Sequence, residues 1–239
     1  FSADEKEFLK KAERINQRIK QQLADDESKP QAFLEIIPAK EVATYKSPYG
    51  GGEKMALYFK GDVCIDGDLN EKWIDDQLNS MPTESFIEAF VIEGDLRING
   101  DFLDGFFMEI NVGKNFYSDY VFSQDAGVSV HGNAFVKFGI YGTRPSGWFD
   151  VDDGFLDTPY IFYHEHSMEK KSVSEFICFE ADDGTSKEHI EIIEKRETGW
   201  YSYKNEHRFF DERVWDEYEN IDLSKFFALV RSGENPFKS

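Results

Sequence analysis

Short alternating apolar runs punctuated by glycine dominate the middle of the chain. Val91-Ile92-Glu93, Ile110-Asn111-Val112 and Val128-Ser129-Val130 each lead towards a glycine, at 94, 113 and 132, which heads a similar phrase every 19 residues. Alternation of apolar and polar positions entering a turn predicts a strand, and the recurrence makes each unit one strand-turn-strand coil. A coil of that length cannot bury its own apolar side chains. Coils must therefore stack, with strands paired about 4.8 Å apart in a parallel solenoid. Ile92, Ile110 and Val128 keep a spacing of 18, as do Phe102, Tyr120 and Phe138, so the coil is 18 to 19 residues. An earlier copy, Leu57 to Ile65, places Gly61 33 residues before Gly94, one coil plus an inserted excursion carrying Asn70 to Asn79. A later copy, Phe149 to Phe155, places Gly154 22 residues after Gly132. A leucine-rich repeat has a similar period, but its Leu-x-Leu-x-x-Asn ladder is missing. The expected fold class is mainly β: a short parallel β-helix whose ends are capped by flanking α-helices.

The flanks read differently. Phe8, Ala12, Ile15, Ile19 and Leu23 recur at helical intervals after the capping-box spacing of Ser2 to Glu5, predicting an amphipathic helix to about residue 24. Phe33 to Pro38 reads as a short edge strand, and Ser47 to Gly52 as a glycine-rich loop without phosphate-cradle spacing. Beyond the repeats, Ser172–Glu180 and Thr198–Tyr203 read as strands and Thr185 opens a short helix. Asp211 precedes an aromatic-rich helical stretch, and Ser224 can cap a last helix that stops at Gly233. The chain thus divides into 1–30, an amphipathic helix and linker; 31–170, the solenoid with its helical excursion near 70–80; and 171–239, a C-terminal α/β cap.

Aromatic residues make up 16% of the 239, ample for a packed core in one domain. The two cysteines, Cys64 and Cys178, lie far apart inside apolar runs and read as buried thiols of a reducing compartment. No cationic-then-apolar leader opens the chain and no apolar run reaches membrane-spanning length, so the cytoplasm is the expected location. Charge changes the picture more: 27 basic against 47 acidic residues give −20. Such a surface repels nucleic acid and anionic lipid and attracts cationic partners such as nucleases at long range; plain solubility is the competing account.

Candidate chemistry is sparse. The turn aspartates Asp62, Asp66, Asp68, Asp95, Asp101 and Asp104 stack along one side if the coils are in register. Glycosidic acid–base work needs two carboxylates at a defined separation; the simpler account is that aspartate beside glycine accepts local backbone hydrogen bonds. Asp150, Asp152 and Asp153 open a run that resembles a calcium loop, but glycine falls at position five and Ile161 stands where the loop needs glutamate. His164 and His166 share one side of a predicted strand without an evident third ligand, so neither metal nor other cofactor is expected. No nucleophile elbow is present, and no catalytic role is assigned. Trp73 in the insertion and Trp148 near a turn are candidate interface anchors, with an aromatic core as the alternative.

The phrases Val91 to Gly100 and Phe149 to Met168, with the ending Ile221 to Phe237, resemble the Gly-Asp-Leu repeat proteins, β-helical relatives of polymer-forming cytoskeletal proteins. Only Gly61 and Gly94 keep Gly-Asp with an apolar residue next; Lys114 and Asn133 follow the other two. Many such proteins are immunity proteins of bacterial polymorphic and contact-dependent toxin systems. The resemblance implies a cytoplasmic antitoxin that blocks a cognate toxin domain, a basic nuclease by the charge argument, as a monomer in a 1:1 complex. It implies no direct contact with nucleic acid or membrane. The expected partner-binding residues are Asp62, Asp66, Asp68, Trp73, Asp95, Asp101, Asp104, Trp148, Asp150, Asp152 and Asp153. A self-associating β-helical scaffold is the alternative, and a carbohydrate-active β-helix a more distant one.

Overall fold

The computed structural model describes residues 33–38, 55–79, 87–104, 109–143, 147–164, 177–180, 199–202, 210–217 and 221–238. The N-terminal helix, the loop at 47–52 and the helix expected at Thr185 lie outside these residues.

The repeats form two parallel sheets. Sheet A stacks β2 (Met55–Lys60), β4 (Ile87–Ile92), β7 (Glu109–Val112), β9 (Gly127–Val130) and β11 (Trp148–Val151), and β1 (Phe33–Pro38) adds an antiparallel strand beside β2. Sheet B stacks β3 (Val63–Ile65), β5 (Leu96–Ile98), β8 (Phe116–Ser123), β10 (Ala134–Thr143) and β13 (Tyr160–His164), then continues into β14 (Ile177–Glu180) and β15 (Gly199–Ser202). Two short strands complete it: β6 (Asp101–Leu103) pairs with β8, and β12 (Leu156–Asp157) with β10. The parallel solenoid expected from the repeat is the fold. β14 and β15 fall within the two strands expected after the repeats.

Alternation in each strand sends every second side chain inward. In register, Leu57, Phe90, Ile110, Val128 and Phe149 form one column from sheet A. Val63, Leu96, Phe116, Ala134 and Leu156 form the matching column from sheet B. Both columns belong to one continuous buried core, where burial of each Leu, Ile or Phe side chain contributes about 1.5–3 kcal/mol. Phe116 holds the centre, edge-on to Phe102 and Phe149 at 6.2 and 5.5 Å.

The register corrects the repeat in one respect. Leu96 pairs with Phe116 and Phe116 with Ala134, so consecutive steps are 20 and 18 residues. The 19-residue recurrence is their mean. Level with Gly94 and Gly132 stands Lys114, whose N–H donates to the Gly94 carbonyl (3.1 Å) and whose carbonyl accepts from Gly132 (2.8 Å). Gly113 lies one position earlier, against the Ile92 carbonyl.

The insertion is helical. Asn70 Oδ1 accepts the Trp73 N–H at 3.0 Å, capping α1 (Glu71–Asn79). Ile74 enters the solenoid core, and Trp73 packs edge-on against Phe90, 5.7 Å between centroids.

At the C-terminus, Asp211 caps a 3-10 turn, Glu212–Val214, which leads to α2 (Leu223–Ser232). The cap of α2 is Asp222, whose Oδ1 accepts from the backbone of Ser224 and Lys225; Ser224, expected as the cap, gives its hydroxyl to that same carboxylate. Gly233 ends the helix in the left-handed conformation, φ 74°. Buried Phe226, Phe227 and Val230 pack on the outer face of sheet B, meeting Tyr120, Tyr160 and Phe162. The sequence reading puts this helix over an end of the solenoid. Its contacts run from β6 through β8 and β10 to β13, so it covers a flank. Room for it comes from a bulge in β10: a Cβ on Gly139 would lie 2.6 Å from the Phe227 ring and 2.8 Å from the Tyr160 carbonyl. Cys178 is fully buried, whereas Cys64 faces outward, half-buried, beside Asn99.

Candidate binding surfaces

The turn aspartates stack as two separate pairs, Asp62 with Asp95 and Asp68 with Asp101, rather than all along one side, and the geometry shows what the stacking does. Asp62 Oδ1 accepts the Asp95 N–H (3.0 Å), and Asp95 Oδ1 accepts both the backbone and side-chain N–H of Asn115. Asn115 does the same for Asn133, and Asn133 Oδ1 accepts the Phe155 N–H (3.1 Å). A parallel turn leaves one N–H per rung without a sheet partner, and this carboxylate–amide ladder satisfies it. Asp68 accepts from Asp101 (2.8 Å) and Asp66 from the Asn99 amide (3.0 Å). Asp104, 3% exposed, takes three N–H groups on one oxygen, from Gln124, Asp125 and Ala126, at 2.6–2.7 Å. Asp101 pairs with Arg231 of α2 at 2.5 and 2.6 Å.

The expected binding residues therefore separate into two groups. Asp104 is buried, and Asp95 and Asp101 are half-buried in bonds that hold the rungs and α2. Asp62, Asp66 and Asp68 bridge rungs too but remain exposed, and exposed Glu71, Asp75 and Asp76 follow them in sequence on α1, with Lys60 and Lys72 the only basic residues between Met55 and Asn79. Asp152 and Asp153 are exposed on the β11 rung, four rungs from Asp62 along the same turn column, with Asp152 2.9 Å from His131 Nδ1, and Asp150 is half-buried. Among the described residues no group of three or more His, Cys, Asp or Glu is placed to hold a metal ion. His164 ends β13, and His166 lies outside the described residues.

The two tryptophans differ. Trp73 is half-buried on α1, next in sequence to those acidic residues. Trp148 is 9% exposed: its ring occupies the space a Cβ on Gly127 would need, 1.9 Å away, and its N–H donates to Ser129 Oγ at 3.3 Å. That socket is part of the solenoid wall.

Two clefts on the outer face of sheet B were not anticipated. In the first, Arg97, Tyr117 and Phe135 stand level on successive rungs. The Arg97 guanidinium lies 4.1 Å from the Tyr117 ring centre, and Tyr117 stacks on Phe135 at 5.0 Å and 9°. Two residues further along each strand come Asn99, Asp119 and Lys137, and Asp157 closes the far end. Burial pushes the Asp119 carboxyl above the usual range, with Lys137 at 3.6 Å opposing it. The second cleft lies under α2, between Phe227 and Arg231 of the helix and Tyr120, Phe122 and Tyr141 of the sheet. Beside it, burial raises the Asp101 carboxyl against the opposing pull of Arg231. The signal for both was the outward half of each strand's alternation, which lines up only once the unequal rung steps are known.

No described helix is long and apolar enough to cross a membrane. Compared with family models, with curated proteins and with solved structures, the chain matches none.

Proposed function

We propose that this chain is an immunity protein: it binds a cognate cationic toxin domain, a basic nuclease, and occludes it stoichiometrically. The observation that carries the reading is the exposed acidic edge of Asp62, Asp66 and Asp68 with Glu71, Asp75 and Asp76, set in a chain of charge −20. Carboxylates in an exposed row steer a cationic partner and raise its association rate, with less effect on how long the complex lasts. Trp73 on α1 is the aromatic side chain nearest in sequence to that row and is the proposed anchor. The ladder bonds add to the reading, because they hold Asp62 and Asp68 in fixed positions before the partner arrives.

The test is association of the purified toxin domain with the parent and with a triple Asp62→Asn, Asp66→Asn, Asp68→Asn variant across a salt series. Asparagine keeps a ladder acceptor and removes the charge. Slower association of the variant and a weaker salt dependence support the reading. Equal rates at all salt concentrations overturn the steering role, and a toxin domain that is acidic overturns the partner class.

A second reading is favoured by sheet B. Its terminal strands β3 and β15 each pair on one side only among the described residues, and unpaired strand edges favour edge-to-edge association. Self-assembly into a scaffold follows from that reading. Sedimentation as a monomer at high concentration excludes it.

A further inference from the structure

The chain is strongly acidic, yet the groove beside Tyr117 and Phe135 is charge-balanced: Arg97 and Lys137 stand against Asp119 and Asp157. A cationic ligand entering it meets two cations. An anionic ligand meets two carboxylates, with Asp95 acting on Tyr117 and Asp101 on Asp119 from behind. Neither sign of charge gains much there.

The hydrogen-bonding inventory is mixed in the same way. Arg97 and Lys137 only donate, the two carboxylates only accept, and Asn99 turns its amide N–H groups to Asp66 and Cys64 on the earlier rung. Hydroxyl groups, each a donor and an acceptor, match such a lining without bringing in a charge. The space is about 190 Å³, room for one pyranose ring. Tyr117 and Phe135 spend ring faces on each other, so their edges form a short apolar wall against which C–H groups can rest.

We propose that this groove binds a neutral sugar, one hexose unit of an oligosaccharide, whose hydroxyls bridge Asp119, Asp157 and Lys137 while its C–H face lies along Tyr117 and Phe135. The groove is on the outer face of sheet B, and its ligand class differs from the cationic partner proposed for the acidic edge. Sugar binding is therefore independent of that proposal. It is also insensitive to ionic strength, which the steered association is not.

Calorimetric titration of the full chain with maltotriose, cellotriose, mannotriose and triacetylchitotriose tests this, with glucose 6-phosphate, lysine and aspartate as charged probes. At least one neutral trisaccharide binds, unchanged by salt. Asp157→Leu and Lys137→Met each weaken it about tenfold, the loss of one charge-assisted hydrogen bond, while circular dichroism and the melting temperature stay at the parent values. If one variant fails to fold, the other decides. Binding of the charged probes alone overturns the proposal, as does neutral binding that survives the folded variants. Silence of all four trisaccharides at about 10 mM, the weak end of measurable affinity, overturns it too.

Discussion

Arg231, in the last turn of α2, holds both carboxylate oxygens of Asp101 on β6, 130 residues earlier in the chain. The pair fixes the helix against the sheet where the aromatic contacts thin out: the guanidinium also lies 5.5 Å from the Phe138 ring centre and 6.0 Å from that of Tyr120. Arg231→Met, which leaves the half-buried Asp101 carboxylate without its cation, should destabilise the fold by about 1 kcal/mol, a modest value because Arg231 is partly open to solvent. Urea unfolding measures it. An unchanged midpoint would make the pair a surface ornament and return Asp101 to the pool of steering charges.

Phe227 and Gly139 should be coupled. Phe227→Ala removes a buried ring and should cost about 3 kcal/mol. Gly139→Ala should also destabilise, because its methyl meets both that ring and the Tyr160 carbonyl. In the double variant the ring clash is gone and only the carbonyl contact remains, so the costs should fall short of additive by about 1 kcal/mol. Strict additivity in a double-mutant cycle would place Phe227 elsewhere.

Amide ladders in turns predict an asymmetry between two similar changes. Asn115→Ala removes the acceptor for Asn133 and should cost about 1–2 kcal/mol, since a half-buried N–H loses its partner. Asn115→Asp keeps an acceptor but sets a second carboxylate beside Asp95, in place of the amide that donates to it. Its penalty should shrink in acid, where one of the two carboxylates is protonated. Melting temperatures of both variants across pH separate the effects.

Acid should loosen α2 before the solenoid. Hydrogen bonds from Arg213 hold Asp211 and Glu234 below the usual carboxylate range, and the Ser224 hydroxyl does so for Asp222. A lowered folded-state pKa gives stability that is full above the unfolded value and lost as pH falls through the folded one. Asp101 and Asp119 run the other way: burial raises them, so their contribution is full below the unfolded value and lost as pH rises. Between about pH 5 and pH 2 the Asp211, Asp222 and Glu234 contacts that frame α2 weaken, while Asp101 and Asp119 neutralise at little cost. Hydrogen exchange, corrected for intrinsic rates, should show protection of Ser224–Ser232 falling before that of Phe116–Ser123. The reverse order would refute the assignment.

How much of this was legible follows from which interactions are local. The strands entering Gly94 and Gly132 could be read because their alternation is complete within a few residues, and β14 and β15 for the same reason. The column through Lys114 could not: a uniform step puts Gly113 there, and only pairing fixes steps of 20 and 18. That one-residue difference also hid the outer row of Arg97, Tyr117 and Phe135, since an error of one position turns an outward residue inward. Asp222 and Ser224 compete for one cap, and the sequence favours either. The site was less legible than the fold. Asp62, Asp95 and Asp104 are visible as turn acids, but whether an aspartate faces water or feeds a backbone N–H depends on the rung above it.

Among the described residues the turn ladders run one way, with the acceptor on the earlier rung and the donor on the later one, from Asp62 through Asp95, Asn115 and Asn133 to Phe155, and likewise at Asp66, Asp68 and Asp104; His131, beside the Asp152 carboxylate of the later rung, runs the other way. A ribosome delivers the chain in that order. Each side-chain acceptor is therefore in place before the N–H that needs it emerges, whereas the backbone N–H groups of Val63, Leu96, Phe116 and Ala134 wait for carbonyls of the rung that follows. α2 keeps to the same direction. It follows the rungs it covers, and Arg231 reaches back to Asp101, so the helix closes over a flank whose strands have already been made.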